Sequence, residues 1–199
     1  MRQLLLFLGS LVCLMRPNAG LVPLPAKSTS GSLSLALSQT FEIRTTGPHA
    51  GALLAAAFRR IEDIIFAHGG RTTAPLPQGE SLLASLVVNI ADDREDAPQL
   101  GDDESYRLTI TAGRSAFASL NAPRLQGALH GLQTFAQLCR YDYDQDYVAI
   151  DQAPWNITDA PRFAHRGLML DTSRHFYPPR AILPLLDAMA TVKLNVFHW

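Results

Sequence analysis

The sequence has no excess of either charge, because 17 Lys and Arg residues are balanced by 18 Asp and Glu residues. It therefore lacks the basic surface that nucleic-acid-binding proteins use, and we predict no nucleic-acid partner. Cysteine is scarce, with two among 199 residues, and the 13 glycines and 13 prolines follow no repeat. The hydrophobic fraction of 47% is enough to build a buried core, which excludes a disordered or low-complexity chain.

No hydrophobic run is long enough to span a bilayer, which takes about 20 residues. The apolar run nearest the N-terminus extends from Leu4 to Met15, follows Arg2, and leads to the small residues Ala19 and Gly20. This layout is typical of a secretory signal peptide, which we assign to residues 1–20; a buried helix or a membrane anchor is the alternative. We therefore expect a secreted protein with no stable membrane span.

The secretory assignment affects how we interpret the cysteines and a possible glycosylation site. Cys13 falls within the signal peptide, so Cys139 is the one cysteine of the mature chain. It is then either a buried apolar residue or half of a disulfide to a partner elsewhere, and its place at the end of a helical apolar pattern favours burial. Asn156-Ile157-Thr158 is an acceptor sequence for N-glycosylation, which we assign to Asn156.

Residues 21–150 show the patterns of an α+β domain, in which a small sheet carries two amphipathic helices on one face. Residues 21–40 have the composition of a lead-in segment, and residues 151–160 have that of a linker to a second unit. An acidic stretch around Asp92 is typical of a solvated loop. The periodicity predicts strands over 41–45, 82–90, 106–111 and 115–120, and helices over 49–67 and from the N-cap Asn121 to Cys139.

The last forty residues have a different character, which we assign to a second unit over 161–199. Gly167–Leu170 and Lys193–Trp199 are apolar runs typical of buried parallel strands, and Pro178-Pro179 opens a helix between them. Strand, helix and strand make a βαβ unit, which cannot close a sheet by itself. We therefore expect five apolar side chains to lack most of their packing partners: Leu168, Leu170, Leu194, Val196 and Phe197.

In parallel α/β folds the ligand site lies at the carboxyl ends of the strands. This rule selects a polar cluster made of Asp171, Arg174, His175, His198 and Trp199. The planar guanidinium of Arg174 suits a hydroxyl-rich or anionic ligand, whereas a structural salt bridge between Arg174 and Asp171 is the alternative.

No metal or cofactor site is predicted from the sequence. Asp142-Tyr143-Asp144-Gln145-Asp146 has the spacing with which a calcium loop begins, but Tyr147 stands where such a loop needs Gly, and Ala153 where it needs Glu. His165, His175 and His198 do not have the spacing of metal ligands. We therefore expect a solvated acidic loop and no cofactor.

Around the polar cluster the sequence resembles a known family. Arg162-Phe163-Ala164-His165-Arg166-Gly167-Leu168-Met169-Leu170-Asp171-Thr172-Ser173-Arg174-His175, followed by Lys193-Leu194-Asn195-Val196-Phe197-His198-Trp199, is similar to the start of the catalytic barrel of family-20 β-N-acetylhexosaminidases. Asp103-Glu104-Ser105-Tyr106 and Gly127–Leu138 resemble the non-catalytic α+β domain that precedes this barrel. The matching pieces follow one another in the family's order from Asp103 to Trp199.

The resemblance implies a TIM (β/α)8 barrel that begins at residue 161 and is truncated here. It implies retaining, substrate-assisted hydrolysis of terminal N-acetylhexosamine residues from glycans, with Arg174 as a substrate-binding residue. Arg166 starts the strand at the opposite face of the barrel, so we expect a structural role for it. The family's catalytic Asp-Glu pair lies on a later strand that this chain does not contain, so no catalytic residue is assigned and the chain alone is expected to be inactive. The resemblance further implies a secreted, lysosomal or vacuolar location and a homodimer of the full-length enzyme.

Two hypotheses remain at this point. The chain is either the N-terminal part of such a hexosaminidase, or a secreted, non-catalytic module that binds glycans or a partner through its α+β domain.

Overall fold

The computed structural model describes residues 20–46, 51–69 and 81–199. The predicted signal peptide lies outside the described residues apart from Gly20, and it stays a prediction. Residues 49 and 50 of the helix predicted over 49–67 also lie outside them; in the described residues this helix begins at Ala52 and ends at Ile65. The elements of the described ranges are β1 (Lys27–Thr45), α1 (Ala52–Ile65), β2 (Ser81–Asp92), β3 (Tyr106–Ile110), β4 (Ala118–Arg124), α2 (Leu125–Leu138), β5 (Cys139–Asp142), β6 (Tyr147–Asp159), β7 (Gly167–Met169), α3 (Pro179–Thr191) and β8 (Val196–His198).

The first six strands form one mixed sheet in the order β1-β2-β4-β3-β6-β5. The pairs β1–β2 and β2–β4 are parallel, and the other neighbours are antiparallel. Strand β1 also pairs with β6, so it is hydrogen-bonded along both of its sides. This arrangement confirms the predicted small sheet with two helices.

Three boundaries predicted from the sequence are wrong. Most of the lead-in segment, residues 21–40, belongs to β1, and residues 151–159 of the linker belong to β6. Serine-rich sequence has a weak strand propensity, but pairing of β1 with both β2 and β6 overrides it. Asn121 is not a helix cap, since it lies in β4 opposite Arg107 and α2 begins four residues later.

The core lies between one face of the sheet and the helices α1 and α2. Alternate strand residues enter it, among them Leu86 and Val88 of β2 and Trp155 of β6, all fully buried. The rings of Phe41 in β1 and Phe135 in α2 stack at 5.8 Å between centroids. The apolar stripes that predicted these two helices are therefore the faces that pack on the sheet.

The acidic stretch around Asp92 has a structural task that the sequence did not indicate. The carboxylate Oε1 of Glu95 accepts hydrogen bonds from the backbone N–H groups of Leu53, at 2.7 Å, and Leu54, at 3.2 Å. These donors belong to the first turn of α1, where backbone N–H groups have no partner within the helix. Glu95 therefore caps α1 from a distant loop, and only part of this stretch is a solvated loop.

Strands β7 and β8 pair in parallel and α3 connects them, which confirms the predicted βαβ unit. The backbone N–H of Leu170 continues the ladder by donating to the His198 carbonyl at 2.9 Å. Leu168 is 38% exposed, and the other four apolar side chains expected to lack partners are half-buried or exposed. Two short strands and one helix leave the apolar surface of this unit largely uncovered.

Gly127 allows α2 to approach the chain just before β3. A Cβ atom at this position would overlap the backbone oxygen of Ser105, which cannot rotate away as a side chain can. Gly127→Ala would add about 1 kcal/mol of helix propensity, but the overlap outweighs it, and we expect a net loss of about 1–3 kcal/mol in the free energy of unfolding. Chemical denaturation of the two proteins measures this difference.

Gln126→Ala in the same helical turn is the matched control, because it changes helix propensity without the overlap. We expect it to leave the free energy of unfolding nearly unchanged. Stabilisation by Gly127→Ala would show that α2 does not lie against Ser105.

Candidate functional site

The carboxyl ends of β7 and β8 border an open cavity of about 450 Å³. The cavity combines two apolar residues of the β7 end with the polar loop after them and with the last two residues of the chain. Its lining is Met169, Leu170, Asp171, Thr172, Ser173, His198 and Trp199. The structure thus brings together residues from both strand ends that the sequence selected.

Asp171 organises the loop that carries Arg174. Its Oδ1 accepts hydrogen bonds from the backbone N–H groups of Ser173, at 2.9 Å, and Arg174, at 3.3 Å. Its Oδ2 accepts from Nη1 of the Arg174 guanidinium at 2.7 Å. The Arg174 side chain is 78% exposed, and exposed ion pairs of this kind contribute little free energy. The guanidinium can therefore exchange Asp171 for a ligand at small cost.

Trp199 and Thr172 also line this space, whereas two predicted residues, Arg174 and His175, lie outside its lining. The indole Nε1 of Trp199 donates to the Thr172 hydroxyl at 3.1 Å, while the ring remains 70% exposed. A large ring that is held at one edge and open at its face is suited to contact with a ligand. His175 is exposed and lies outside the cavity lining.

Arg166 lies at the opposite end of β7, where it joins the βαβ unit to the α+β domain. Its guanidinium donates to both carboxylate oxygens of Glu104 and to the backbone carbonyls of Phe163, at 2.8 Å, and Lys193, at 2.9 Å. Asn195 adds a hydrogen bond from Nδ2 to Glu104 Oε1 at 3.1 Å. Glu104 is 8% exposed, so this ion pair is almost excluded from solvent.

His130 of α2 makes a further hydrogen bond to Glu104. Its Nε2 lies 2.6 Å from Glu104 Oε2 and carries the hydrogen, because a carboxylate can only accept. Burial lowers the pKa of His130, and the charges of Lys193 and Arg166 act in the same direction, so the imidazole is neutral at pH 7. Burial alone would raise the pKa of Glu104, but hydrogen bonds from Arg166 and His130 outweigh burial and hold it below its ordinary value.

A second buried ion pair lies beside the first. The ammonium of Lys193, 6% exposed, donates to Asp159 Oδ2 at 3.0 Å and to the Tyr106 hydroxyl at 2.9 Å. The Tyr106 hydroxyl donates to Asp159 Oδ2 at 2.9 Å, and Thr134 Oγ1 lies 2.7 Å from it. Burial lowers the pKa of Lys193, whereas the hydrogen bond from Lys193 holds the pKa of Asp159 below its ordinary value despite burial.

Lys193 also has an unusual backbone conformation, with φ at 60°. It follows the end of α3, where its N–H donates to Ala190 and the N–H of Leu194 donates to Met189. This is the left-handed helix ending that favours glycine. A lysine here costs backbone energy, which the buried contacts of its ammonium offset.

The sequence did not indicate either buried pair, because their partners lie 34 and 62 residues apart in the chain. The nearest signal was an uninterrupted run of charged and polar residues, Asp102 to Ser105, directly before the apolar β3.

The remaining predicted positions lie away from the cavity. The thiol of Cys139 donates to the Phe135 carbonyl and packs against the core, and burial raises its pKa. Asp142 accepts two backbone hydrogen bonds within its own turn. Asn156 is exposed in β6. Among the residues that the structure describes, no group of three His, Cys, Asp or Glu side chains is placed to hold a metal ion.

Comparison with known proteins assigns both units. The family described as beta-acetyl hexosaminidase like matches residues 21–138, more than half of the chain. The catalytic domain of glycosyl hydrolase family 20 matches residues 163–199. The chain belongs to the family-20 β-N-acetylhexosaminidases. Within the described ranges, none of the helices has both the length and the apolar character needed to cross a membrane.

Relatives of this family-20 chain are similar over most of its length. Beta-hexosaminidase 3 of Arabidopsis thaliana is 38% identical over 184 residues, which cover 89% of the chain and 34% of the relative. The beta subunit of Homo sapiens beta-hexosaminidase is 39% identical over 192 residues, which cover 92% of the chain and 34% of the relative. The chain thus spans about a third of these curated relatives.

A solved structure gives the same assignment. The chitobiase of Flavobacterium johnsoniae superposes with a TM-score of 0.72 at 32% identity, and the match covers 90% of this chain and 26% of the chitobiase. The alignment includes both the α+β domain and the βαβ unit, since 90% coverage exceeds the length of either one.

Glu104→Gln tests the ion pair that joins the two units of this family-20 chain. The substitution leaves the buried guanidinium of Arg166 without its counter-charge, and we expect a loss of about 3 kcal/mol in the free energy of unfolding at pH 7. The pKa of Glu104 is lower in the folded than in the unfolded state, so its contribution is present above its ordinary value of 4.5 and is lost as the pH falls through the folded value. Denaturation curves from pH 7 to pH 3 should therefore show the variant and the original chain converging below pH 4.5.

Glu42→Gln is the matched control, because Glu42 pairs with Arg44 at 3.7 Å on the surface. It should change the free energy of unfolding little at any pH. Equal effects of the two substitutions, or a difference for Glu104→Gln that does not depend on pH, would contradict the assignment.

Proposed function

We propose that this chain is the N-terminal part of an exo-acting β-N-acetylhexosaminidase, which removes terminal non-reducing N-acetylhexosamine residues from glycans. The observation that supports it most directly is the match of residues 163–199 to the family-20 catalytic domain, in the segment where the structure places a polar cavity at parallel strand ends. The βαβ unit is then the first step of a TIM barrel, whose active sites lie at this end of the strands.

Arg174 is the substrate-binding residue in this proposal. It follows β7 on the cavity side, its guanidinium is exposed, and Asp171 holds it through one side-chain contact at 2.7 Å. Five guanidinium N–H groups can donate to the hydroxyl oxygens of a sugar ring. Trp199 offers an exposed ring on the same cavity for the apolar face of a sugar.

The reaction is substrate-assisted and retaining, as the family resemblance implies. The acetamido carbonyl of the substrate attacks the anomeric carbon, and a carboxylic acid protonates the leaving oxygen. In the part of the chain that the structure describes, the cavity contains one carboxylate, Asp171, and the Asp103-Glu104 pair is committed to buried contacts at the other end of β7. The 199 residues alone therefore bind the sugar at best and do not hydrolyse the glycosidic bond.

Location and assembly complete the proposal. A signal peptide over residues 1–20 directs the protein to the secretory route, and from there to the outside of the cell or to a lysosome or vacuole. The longer enzyme forms a homodimer, and its substrate is a chitin oligomer, a glycoprotein or a glycolipid that ends in N-acetylhexosamine.

Release of a chromogenic aglycone from an N-acetylglucosaminide tests the proposal. The 199-residue chain should release none, whereas the protein encoded when the reading frame is followed beyond Trp199 should hydrolyse it. In that longer protein, Arg174→Gln removes a charged hydrogen-bond donor worth about 1.5–3 kcal/mol, so kcat/KM should fall about 10- to 150-fold.

Arg162→Gln is the control, because Arg162 is an exposed arginine on the other side of β7 from the cavity, packed over the Phe163 ring at 5.4 Å. It should keep nearly full activity. Turnover by the 199-residue chain would overturn the proposal that the catalytic residues lie outside these 199 residues. A stop codon directly after Trp199 would favour the non-catalytic glycan- or partner-binding module.

A further inference from the structure

The sheet of the α+β domain has a second face, on the side away from α1 and α2, and this face is polar apart from a small buried apolar cluster of Ala36, Tyr147 and Ala149. Two rows of side chains cross it from strand to strand. One row is Asn89, Asn121, Arg107, Thr158 and Lys27, and the next is Arg44, Val87, Ser119, Thr109, Asn156 and Thr29. Ten of these eleven residues are polar, and all eleven are half-buried or exposed. The βαβ unit does not use this face for its hydrogen bonds to the α+β domain. Those bonds go to α2, to Glu104 just before β3 and to Asp159 at the end of β6.

Asn156 lies near the middle of this polar face. It belongs to β6, between Thr109 of β3 on one side and Thr29 of β1 on the other. Its side chain is exposed and makes no hydrogen bond to any residue that the structure describes. Strand geometry places its neighbours Trp155 and Ile157 in the core, so the Asn156 amide points away from the core.

A concavity of about 630 Å³ adjoins Asn156. Its lining is the segment from Leu24 to Thr29 together with Asn156 and Thr158 of β6, which pairs with β1 here. The hydroxyl groups of Ser28, Thr29 and Thr158 can donate to and accept from a ligand. The concavity is therefore open, combines these hydroxyl groups with the apolar Leu24, Pro25 and Ala26, and is large enough for a sugar residue attached to the Asn156 amide.

We propose that Asn156 carries an N-linked glycan whose first sugar occupies this concavity and covers the neighbouring part of the polar face. The sequence contains a single N-glycosylation acceptor site, Asn156-Ile157-Thr158. The proposal rests on the secretory route proposed above and not on hydrolase activity.

The donor is a polyprenyl-pyrophosphate-linked oligosaccharide of the secretory pathway. A bond forms between Nδ2 of Asn156 and the anomeric carbon of the first N-acetylglucosamine. The bond from that carbon to the pyrophosphate oxygen breaks, the polyprenyl pyrophosphate leaves, and the amide loses one proton. The transfer occurs before the strand folds, and the folded sheet then accommodates the product because Asn156 faces solvent.

Two substitutions of Thr158 separate glycosylation from changes in the sheet. Thr158→Ser keeps the acceptor sequence, whereas Thr158→Val removes it and keeps the β-branched shape at an exposed strand position. The full chain is expressed in a eukaryotic secretory host with its own N-terminus, and in parallel with a leader of the host in place of residues 1–20. Peptide N-glycosidase should lower the mass of the original chain and of Thr158→Ser, and convert Asn156 to Asp, but leave Thr158→Val unchanged.

Acylation of lysine then tests where the first sugar lies. The chain has two lysines: Lys27, which is exposed and lines the concavity, and Lys193, which is buried. After an endoglycosidase has trimmed the glycan to its first sugar, Lys27 of Thr158→Ser should react several times more slowly than Lys27 of Thr158→Val. Slow reaction of Lys193 in both proteins reports that each is folded.

Two results would overturn the proposal. An unmodified Asn156 in chain secreted behind the host leader would show that the acceptor site is unused. A modified Asn156 with equal Lys27 reactivity in the two variants would show that the sugar projects away from the concavity. Neither result bears on the hexosaminidase proposal, because neither uses substrate turnover.

Discussion

The relation between the two units depends first on the buried carboxylate of Glu104, with the Lys193–Asp159 pair beside it. Glu104 lies directly before β3 of the α+β domain and accepts hydrogen bonds from Arg166, His130 and Asn195. Two of these donors belong to the βαβ unit and one to α2, so a single buried acceptor holds three segments together. The apolar side chains of the βαβ unit give it little support of their own, because most remain half-buried or exposed.

This arrangement relates the α+β domain to the loop that carries Arg174. Arg166 binds Glu104 and the carbonyls of Phe163 and Lys193, which fixes both the start of β7 and the chain just before β8. The loop with Asp171 and Arg174 leaves the other end of the same short strand, and its position therefore depends on that of Arg166. Burying Glu104 and Arg166 costs desolvation energy, which His130 and Asn195 offset in part by donating further hydrogen bonds to the two carboxylate oxygens.

Local patterns predicted the parts of this fold in which neighbours in sequence are neighbours in space. The apolar stripes predicted α1 and α2, and two apolar runs around a proline-initiated helix predicted the βαβ unit. The Ser-rich β1 was missed, because its stability comes from pairing with β2 and β6 and not from its own composition. The parallel-strand rule selected three of the cavity residues, Asp171, His198 and Trp199, but also Arg174 and His175, which lie outside the lining. Glu104 and Lys193 could not be found this way, since burial of a charge is decided by partners distant in sequence.

Hydrogen exchange of the Glu104→Gln variant is the most direct measurement of the central claim, that the Glu104 carboxylate, with the Lys193–Asp159 pair beside it, holds the βαβ unit on the α+β domain. We predict faster exchange at amides of β7 and β8, including Leu170, whose N–H is bonded to the His198 carbonyl. Amides of β2 and β4, which belong to the large sheet of the α+β domain, should exchange at the rate of the original chain under native conditions. Unchanged exchange in β7 and β8, or an equal increase throughout the sheet, would contradict the claim.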